Sequence, residues 1–142
     1  MPHNVIRQVV NFPGVTPHQV YEALMDERRH AEFTGQTAVI SRRVSGRFET
    51  FDGWASGKNE SLVADKKIVQ SWRASDWPAS AESVCTFAID KTVNGVRLTF
   101  TQTGVPPIFR ASIAQGWPEF YWEPLKKYLA PTTKKRRTGQ SA

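Results

Sequence analysis

The residues of this 142-residue chain that are capable of acid–base, nucleophilic or metal chemistry are few and scattered. The three histidines, His3, His18 and His30, do not follow a metal-ligand spacing, so the sequence predicts no metal site. The single cysteine, Cys85, alternates with apolar residues, which favours a small buried side chain over a nucleophile. Neither a nucleophile elbow nor a phosphate-binding glycine loop is found. The sequence therefore predicts no catalytic residue and no cofactor.

Three charged residues in the middle of the chain are the candidates for a polar patch in a cleft. Glu60, Arg73 and Asp76 lie in or beside predicted strands. If they face one cavity, they could support cyclase or hydrolase chemistry. The alternative is that these residues simply lie on the solvent-exposed face of a strand or in a turn and have no functional role.

Aromatic side chains are the other candidates for a binding site. They are predicted to line a cleft between the strands and the last helix, and comprise Phe48, Trp54, Trp72, Trp117 and Tyr121. The alternative is plain core packing. A dry cavity of about 300 Å³ would cost on the order of 7 kcal/mol, which rivals the whole stability of a small domain. We therefore expect a modest pocket, partly closed by these rings.

Trp122 lies off the apolar stripe of the last helix, beside Glu119, Glu123 and Lys126. A large aromatic side chain on a polar face can anchor a partner protein. It can equally pack beneath a neighbouring strand or loop, and the sequence leaves both alternatives open.

Composition indicates a single domain that needs no disulfide. The length fits one domain, predicted for residues 1–130, and a single cysteine cannot form an internal disulfide. No signal peptide is visible, and no apolar run approaches the ~18 residues that a membrane span needs. These features predict a cytoplasmic protein.

The net charge of +6 is concentrated at the C-terminus. Lys134–Arg137 supply four basic residues, and the rest of the chain has 15 basic and 13 acidic residues. A nearly neutral body argues against a nucleic-acid-binding face. We interpret residues 131–142 as a polar, disordered tail, with nuclear import as an alternative role for the basic run.

Sequence patterns predict an α+β order of elements. A first strand, Val5–Phe12, precedes a helix that starts at a capping box, Thr16 to Gln19, and a second short helix that follows Asp26. Strand-length alternating segments come next: Ala38–Arg42, Gly46–Phe51, Ala55–Val63, Lys67–Ser75, Glu82–Lys91 and Val96–Thr103. Asn94-Gly95 between the last two predicts a type I′ turn.

A long amphipathic helix is predicted from about Trp117 to Leu129. One stripe at α-helical spacing comprises Trp117, Phe120, Tyr121, Pro124, Leu125, Tyr128 and Leu129. Pro124 removes a backbone hydrogen bond and should kink the helix. Only this helix is long and apolar enough to cover the predicted sheet, so we expect a curved antiparallel sheet of six to seven strands around it.

Short motifs in this order resemble a known family. They are Phe33-Thr34-Gly35, Gly46-Arg47-Phe48, Phe51-Asp52-Gly53, Ser56-Gly57, Ile68–Arg73, Asp76-Trp77-Pro78, Gly116-Trp117-Pro118, Tyr121-Trp122 and Pro124-Leu125. From about Val5 to Ala130, the chain resembles the C-terminal domain of the activator of heat shock protein 90 ATPase. That resemblance implies the helix-grip fold of the START-like (SRPBCC) superfamily.

The resemblance also implies a non-enzymatic binding domain with a co-chaperone and stress-response role. The full co-chaperone has a separate N-terminal domain, whereas about four residues precede the first strand here, so we expect a stand-alone version. A protein with one binding site would lack the gain in overall affinity that two linked sites provide, which is often 10²–10⁴-fold.

Three hypotheses about function follow. The first is binding to heat shock protein 90, and the second is a carrier of a small apolar ligand held between sheet and helix. The third is a cyclase- or hydrolase-type enzyme that uses Glu60, Arg73 or Asp76.

Overall fold

The computed structural model describes residues 5–130. Its strands are β1 (Ile6–Pro13), β2 (Val39–Ile40), β3 (Arg47–Thr50), β4 (Ala55–Val63), β5 (Lys67–Ala74), β6 (Ser83–Lys91) and β7 (Gly95–Thr103). Its α-helices are α1 (Pro17–Met25), α2 (Glu27–Thr34), α3 (Arg110–Trp117) and α4 (Glu123–Leu129). The predictions for residues 131–142, including Lys134–Arg137, lie outside the described residues.

The strands form one antiparallel sheet in the order β1-β7-β6-β5-β4-β3-β2. The chain therefore follows a meander from β2 to β7, and β1 joins beside β7. The predicted fold, an antiparallel sheet with two short helices after the first strand and a long C-terminal helix, is confirmed.

Strand β2 is shorter than the predicted Ala38–Arg42, because the chain turns away to surround a buried side chain. The Asn59 amide nitrogen donates to the carbonyl oxygens of Ser41 and Arg43, at 2.8 and 2.9 Å. The carbonyl groups that would extend the ladder are thus used to hold the loop against β4.

Caps fix the start of α1, where the sequence predicts a capping box, and both ends of α2. The Thr16 hydroxyl accepts from Gln19 N–H, and the Gln19 side chain accepts from Thr16 N–H, which completes the capping box. The Asp26 carboxylate accepts from Arg28 and Arg29 N–H at the start of α2. Gly35 ends α2 in the left-handed conformation, with φ of 77°.

The β6–β7 hairpin is present, but its turn is not the predicted type I′. Asn94 and Gly95 are not among the residues with positive φ, which both central positions of that turn require. The turn is closed instead by Thr92, whose hydroxyl accepts from Gly95 N–H at 3.1 Å. Gly95 serves a different need, because a Cβ there would lie 2.1 Å from the carbonyl oxygen of Phe12.

The C-terminal helix starts earlier than predicted. A 3-10 turn, Pro107–Phe109, leads into α3, and a π-helical segment, Pro118–Trp122, joins α3 directly to α4. We call residues 110–129 the C-terminal helix. In the π-helical turn, Glu123 N–H donates to Pro118 C=O five residues back. The turn ends just before Pro124, the position at which the sequence predicted a kink, and Pro124 itself lies in the first turn of α4. No helix within residues 5–130 has both the length and the apolarity to cross a bilayer.

Replacement of Gly95 by alanine should destabilise the protein by roughly 2 kcal/mol or more, because the new Cβ meets the β1 backbone. Gly116→Ala is the matched control. Its Cβ would lie 3.7 Å from the nearest atom, and alanine favours the helix by up to about 1 kcal/mol. Chemical denaturation should therefore give shifts of opposite sign for the two variants; equal shifts would contradict the β1 clash.

Candidate functional site

An open cavity of about 380 Å³ lies between the C-terminal helix and the end of the sheet formed by β3, β4 and β5. Most of its wall is aromatic. The residues that line it are Gln36, Phe51, Trp54, Trp72, Ser112, Ile113, Gly116, Trp117, Phe120 and Tyr121. This is the cleft between sheet and helix that the sequence predicted, and its volume falls within the 300–1,000 Å³ typical of ligand pockets.

Four of the five predicted aromatic residues meet at this cavity: Trp54, Trp72, Trp117 and Tyr121. Their rings touch, with centroids 5.7 Å apart for Trp54 and Trp72 and 4.6 Å apart for Trp117 and Tyr121. Phe48 is the exception, because it is buried in the core and borders a separate inner void. The rings thus both fill space and leave a cavity, so the site is part core and part pocket.

Two further rings, Phe51 and Phe120, line the cavity without having been predicted. Phe51 occupies a turn after β3 with φ of 55°, a conformation rare for a bulky residue, which periodicity does not reveal. Phe120 was predicted to lie in the buried helix stripe, but it is 51% exposed at the rim of the cavity, 6.4 Å from Phe51. That prediction was wrong, and the π-helical turn is the reason.

The π-helical turn changes which side chains of the C-terminal helix face the sheet. Residues five apart lie roughly one above the other in a π-helix, whereas in an α-helix they point in different directions. The rings of Trp117 and Trp122 accordingly stack, with centroids 5.5 Å apart and planes 19° apart. Trp122 is only 3% exposed. Of the two alternatives for Trp122, the structure shows the second: its ring packs beneath the sheet, and the exposed partner anchor is corrected.

Both buried indole groups find hydrogen-bond acceptors on strands. Trp117 Nε1 donates to Gln102 Oε1 of β7 at 2.8 Å, and Trp122 Nε1 donates to Gln8 Oε1 of β1 at 2.6 Å. Gln102 Nε2 in turn donates to the Ser83 hydroxyl at 3.0 Å. Because a buried donor without a partner costs about 1–3 kcal/mol, these glutamines fix the stacked tryptophans on the sheet.

The predicted polar set is not brought together at the cavity. Glu60 and Asp76 are exposed, and neither they nor Arg73 are among the lining residues. Arg73 instead donates to the carbonyl oxygens of Ala81, Trp77 and Pro78, at 3.2, 2.9 and 3.0 Å.

The Arg73 contacts hold the β5–β6 loop against the sheet. Trp77 of that loop packs on Trp72, with ring centroids 5.5 Å apart. The cavity wall formed by Trp72 is therefore supported from behind by a charged group that never reaches the cavity.

A buried polar pair lies behind the Tyr121 wall. The hydroxyl of Tyr121 is 2.6 Å from His30 Nε2, and both side chains are buried. Burial lowers the pKa of His30 to about 4, so the imidazole is neutral at physiological pH. Burial also raises the pKa of Tyr121 well above its usual value.

The lining offers apolar contact and little acid–base chemistry. Gln36 and Ser112 are its uncharged polar side chains, and no lining residue is an acid, a histidine or a cation. Cys85 is buried, and desolvation raises the pKa of its thiol, so it remains protonated. Among residues 5–130, no three His, Cys, Asp or Glu side chains are placed to hold a metal ion.

The fold and the motifs are those of a known family. Residues 14–130 match the family model described as "Activator of Hsp90 ATPase homolog 1-like protein". The chain belongs to this family. The human "Activator of 90 kDa heat shock protein ATPase homolog 1" is 31% identical over 114 residues, which are 79% of this chain and 33% of the human protein. This chain thus spans about a third of the length of that relative.

Solved structures support the family's fold. The crystal structure of an HSP90 activator from Plasmodium falciparum superposes with a TM-score of 0.76 at 21% identity, covering 88% of this chain and 94% of that one. The solution structure of an Aha1 dimer from Colwellia psychrerythraea gives 0.76 at 19% identity, covering 88% of this chain and 95% of that one. At such identities the likeness establishes the fold, which is the helix-grip architecture inferred from the motifs.

The burial of His30 makes stability pH-dependent. Its pKa is about 4 in the folded protein and ~6.5 in an unfolded chain, so the unfolded chain binds more protons between these values. The free energy of unfolding is therefore highest above pH ~6.5, where His30 is neutral in both states. As the pH falls towards 4, it decreases by up to about 3 kcal/mol. His30→Gln should remove this component, whereas exposed His18→Gln should keep it. Denaturation midpoints at pH 7.5 and 5 measure the difference; parallel changes in all three proteins would contradict it.

Proposed function

We propose that this domain binds heat shock protein 90 chaperones in a co-chaperone-like manner and acts without catalysing a reaction itself. Membership of the activator family and the 31% identity to the human activator support this proposal. The observation that carries it is an apolar cavity whose walls have no acid–base pair but whose rim exposes large aromatic side chains.

The rim offers the chemistry of a protein-binding surface. Trp54 is 40% exposed and Phe120 is 51% exposed, and Phe51 lies between them, 6.4 Å from each ring. Aromatic side chains at the centre of an interface supply much of its binding energy, especially where a partner residue can fill an adjoining pocket. The charged residues outside the cavity would form the polar border that such interfaces usually have.

Truncation of the rim should weaken chaperone binding. The double variant Trp54→Ala, Phe120→Ala is expected to lose about tenfold or more in affinity, because two partly exposed rings are removed from the contact. The matched control is Val84→Ala, an exposed apolar residue on the outer face of the sheet. Titration of a purified heat shock protein 90 and its ATPase rate measure the effect.

Absence of binding and of ATPase stimulation at high concentration of the unmodified domain would overturn the chaperone proposal. Equal losses in the rim variant and in the Val84→Ala control would contradict the assignment of the surface. Circular dichroism checks that each variant is folded.

The volume of the cavity favours a second candidate function, the binding of a small uncharged apolar molecule. A space of about 380 Å³ with a mostly aromatic wall can enclose such a molecule. A charged ligand would be disfavoured, since no lining residue carries an opposite charge to offset its desolvation.

A cavity-filling variant tests the binding of a small molecule. Gly116 lines the cavity, and Gly116→Leu should place a side chain in it and abolish ligand binding. The matched control is Ala111→Leu, an exposed position on the same helix α3 that is not part of the lining. Binding of uncharged N-phenyl-1-naphthylamine, followed by its fluorescence, measures occupancy. Unchanged binding by Gly116→Leu, or no binding by the unmodified domain, would contradict ligand binding.

A further inference from the structure

A second, smaller space lies deeper in the domain than the aromatic cavity. It measures about 10 Å³ and is bordered by apolar residues and by four polar ones, His30, Thr50, Gln70 and Tyr121. These four side chains come from α2, β3, β5 and the C-terminal helix, respectively. Four separate elements therefore bring polar groups to one buried point.

Two of these polar groups lack a partner among the described residues. His30 Nδ1 and Thr50 Oγ1 are fully enclosed, and each belongs to a residue that is only 2% exposed. Neither atom has a partner at hydrogen-bond geometry, although the Thr50 hydroxyl is near enough to the Tyr121 hydroxyl to lower its pKa against the larger, raising effect of burial. A buried polar group without a hydrogen-bond partner destabilises the folded state. Two such groups at one place call for a physical explanation.

We propose that the inner void is a binding site for one water molecule, which bridges His30 Nδ1 and Thr50 Oγ1. We call it the inner water site. A volume of about 10 Å³ is close to the least that admits a single water, and a buried water typically makes two to four hydrogen bonds. Nothing larger than water fits this space, and a nonpolar occupant would leave both polar atoms unsatisfied.

The hydrogen bonds around the inner water site form a consistent set. His30 Nε2 is occupied by the Tyr121 hydroxyl at 2.6 Å, so Nδ1 is the ring atom left for the water. Gln70 uses its amide nitrogen on Asn59 Oδ1 at 3.1 Å, so that group is not available to the water. The water can donate to or accept from His30 Nδ1, according to the imidazole tautomer, and it can do the same with the Thr50 hydroxyl, whose hydrogen rotates to suit.

The inner water site has a structural consequence for the aromatic cavity. Tyr121 borders both spaces, so the ring that forms a cavity wall is hydrogen-bonded at its far end to the histidine that holds the water. The water therefore fixes the orientation of His30 and, through it, of the cavity wall.

The sign of a stability change tests the proposal. Thr50→Val keeps the shape of the side chain but removes its hydroxyl. If the water is present, the variant strips one of its hydrogen bonds, and the denaturation midpoint should fall relative to the control Thr86→Val on the outer face of β6. If the void is dry, Thr50→Val removes an unsatisfied group, and an unchanged or raised midpoint would overturn the proposal.

Direct detection of the water keeps the test decisive even if Thr50→Val does not fold. Oxygen-17 relaxation dispersion of the unmodified protein should reveal a long-lived internal water, and a crystal structure at high resolution should show density within hydrogen-bond distance of both His30 Nδ1 and Thr50 Oγ1. An empty void in that density would refute the site. In a folded Thr50→Val variant, the relaxation signal should lose one long-lived water.

Discussion

The stack of Trp117 on Trp122 is the interaction on which the rest of the site depends. Side chains five residues apart point in different directions in an α-helix. They can stack here because the π-helical segment Pro118–Trp122 closes its backbone hydrogen bond over five residues instead of four. Both indole N–H groups then reach glutamine acceptors on the sheet, Gln102 and Gln8. Because burial of either ring without its acceptor would be costly, helix geometry, sheet register and cavity shape are set together.

The order of elements could be predicted from the sequence because each depends on local patterns. The alternation of apolar and polar residues predicted the strands, and the capping box at Thr16 predicted the start of α1. Four of the five predicted aromatic residues reached the cavity, since a sheet covered by one apolar helix leaves few other places for them. The family motifs, which are local as well, led to the same fold.

Features set by contacts distant in sequence could not be predicted in this way. A period of 3.6 residues placed Phe120 inside and Trp122 outside, whereas the π-helical turn reverses both. The acceptor of the Trp122 indole lies 114 residues away, and no local pattern indicates it. Arg73 was a plausible cleft residue from its type alone, but three carbonyl groups of the following loop take its donors.

The contacts of Arg73 have a consequence for the thermodynamics of binding. Because the guanidinium holds the loop that carries Trp77, and Trp77 supports Trp72, one wall of the cavity is fixed by the domain's own contacts. Any binding at the cavity would therefore cost little conformational entropy at this wall, and most of that cost would fall on the exposed rings of the rim. The domain is thus pre-organised at the base of the cavity, whereas the rings at its entrance are exposed, so a bound group would meet a fixed base and would have to order only the rim.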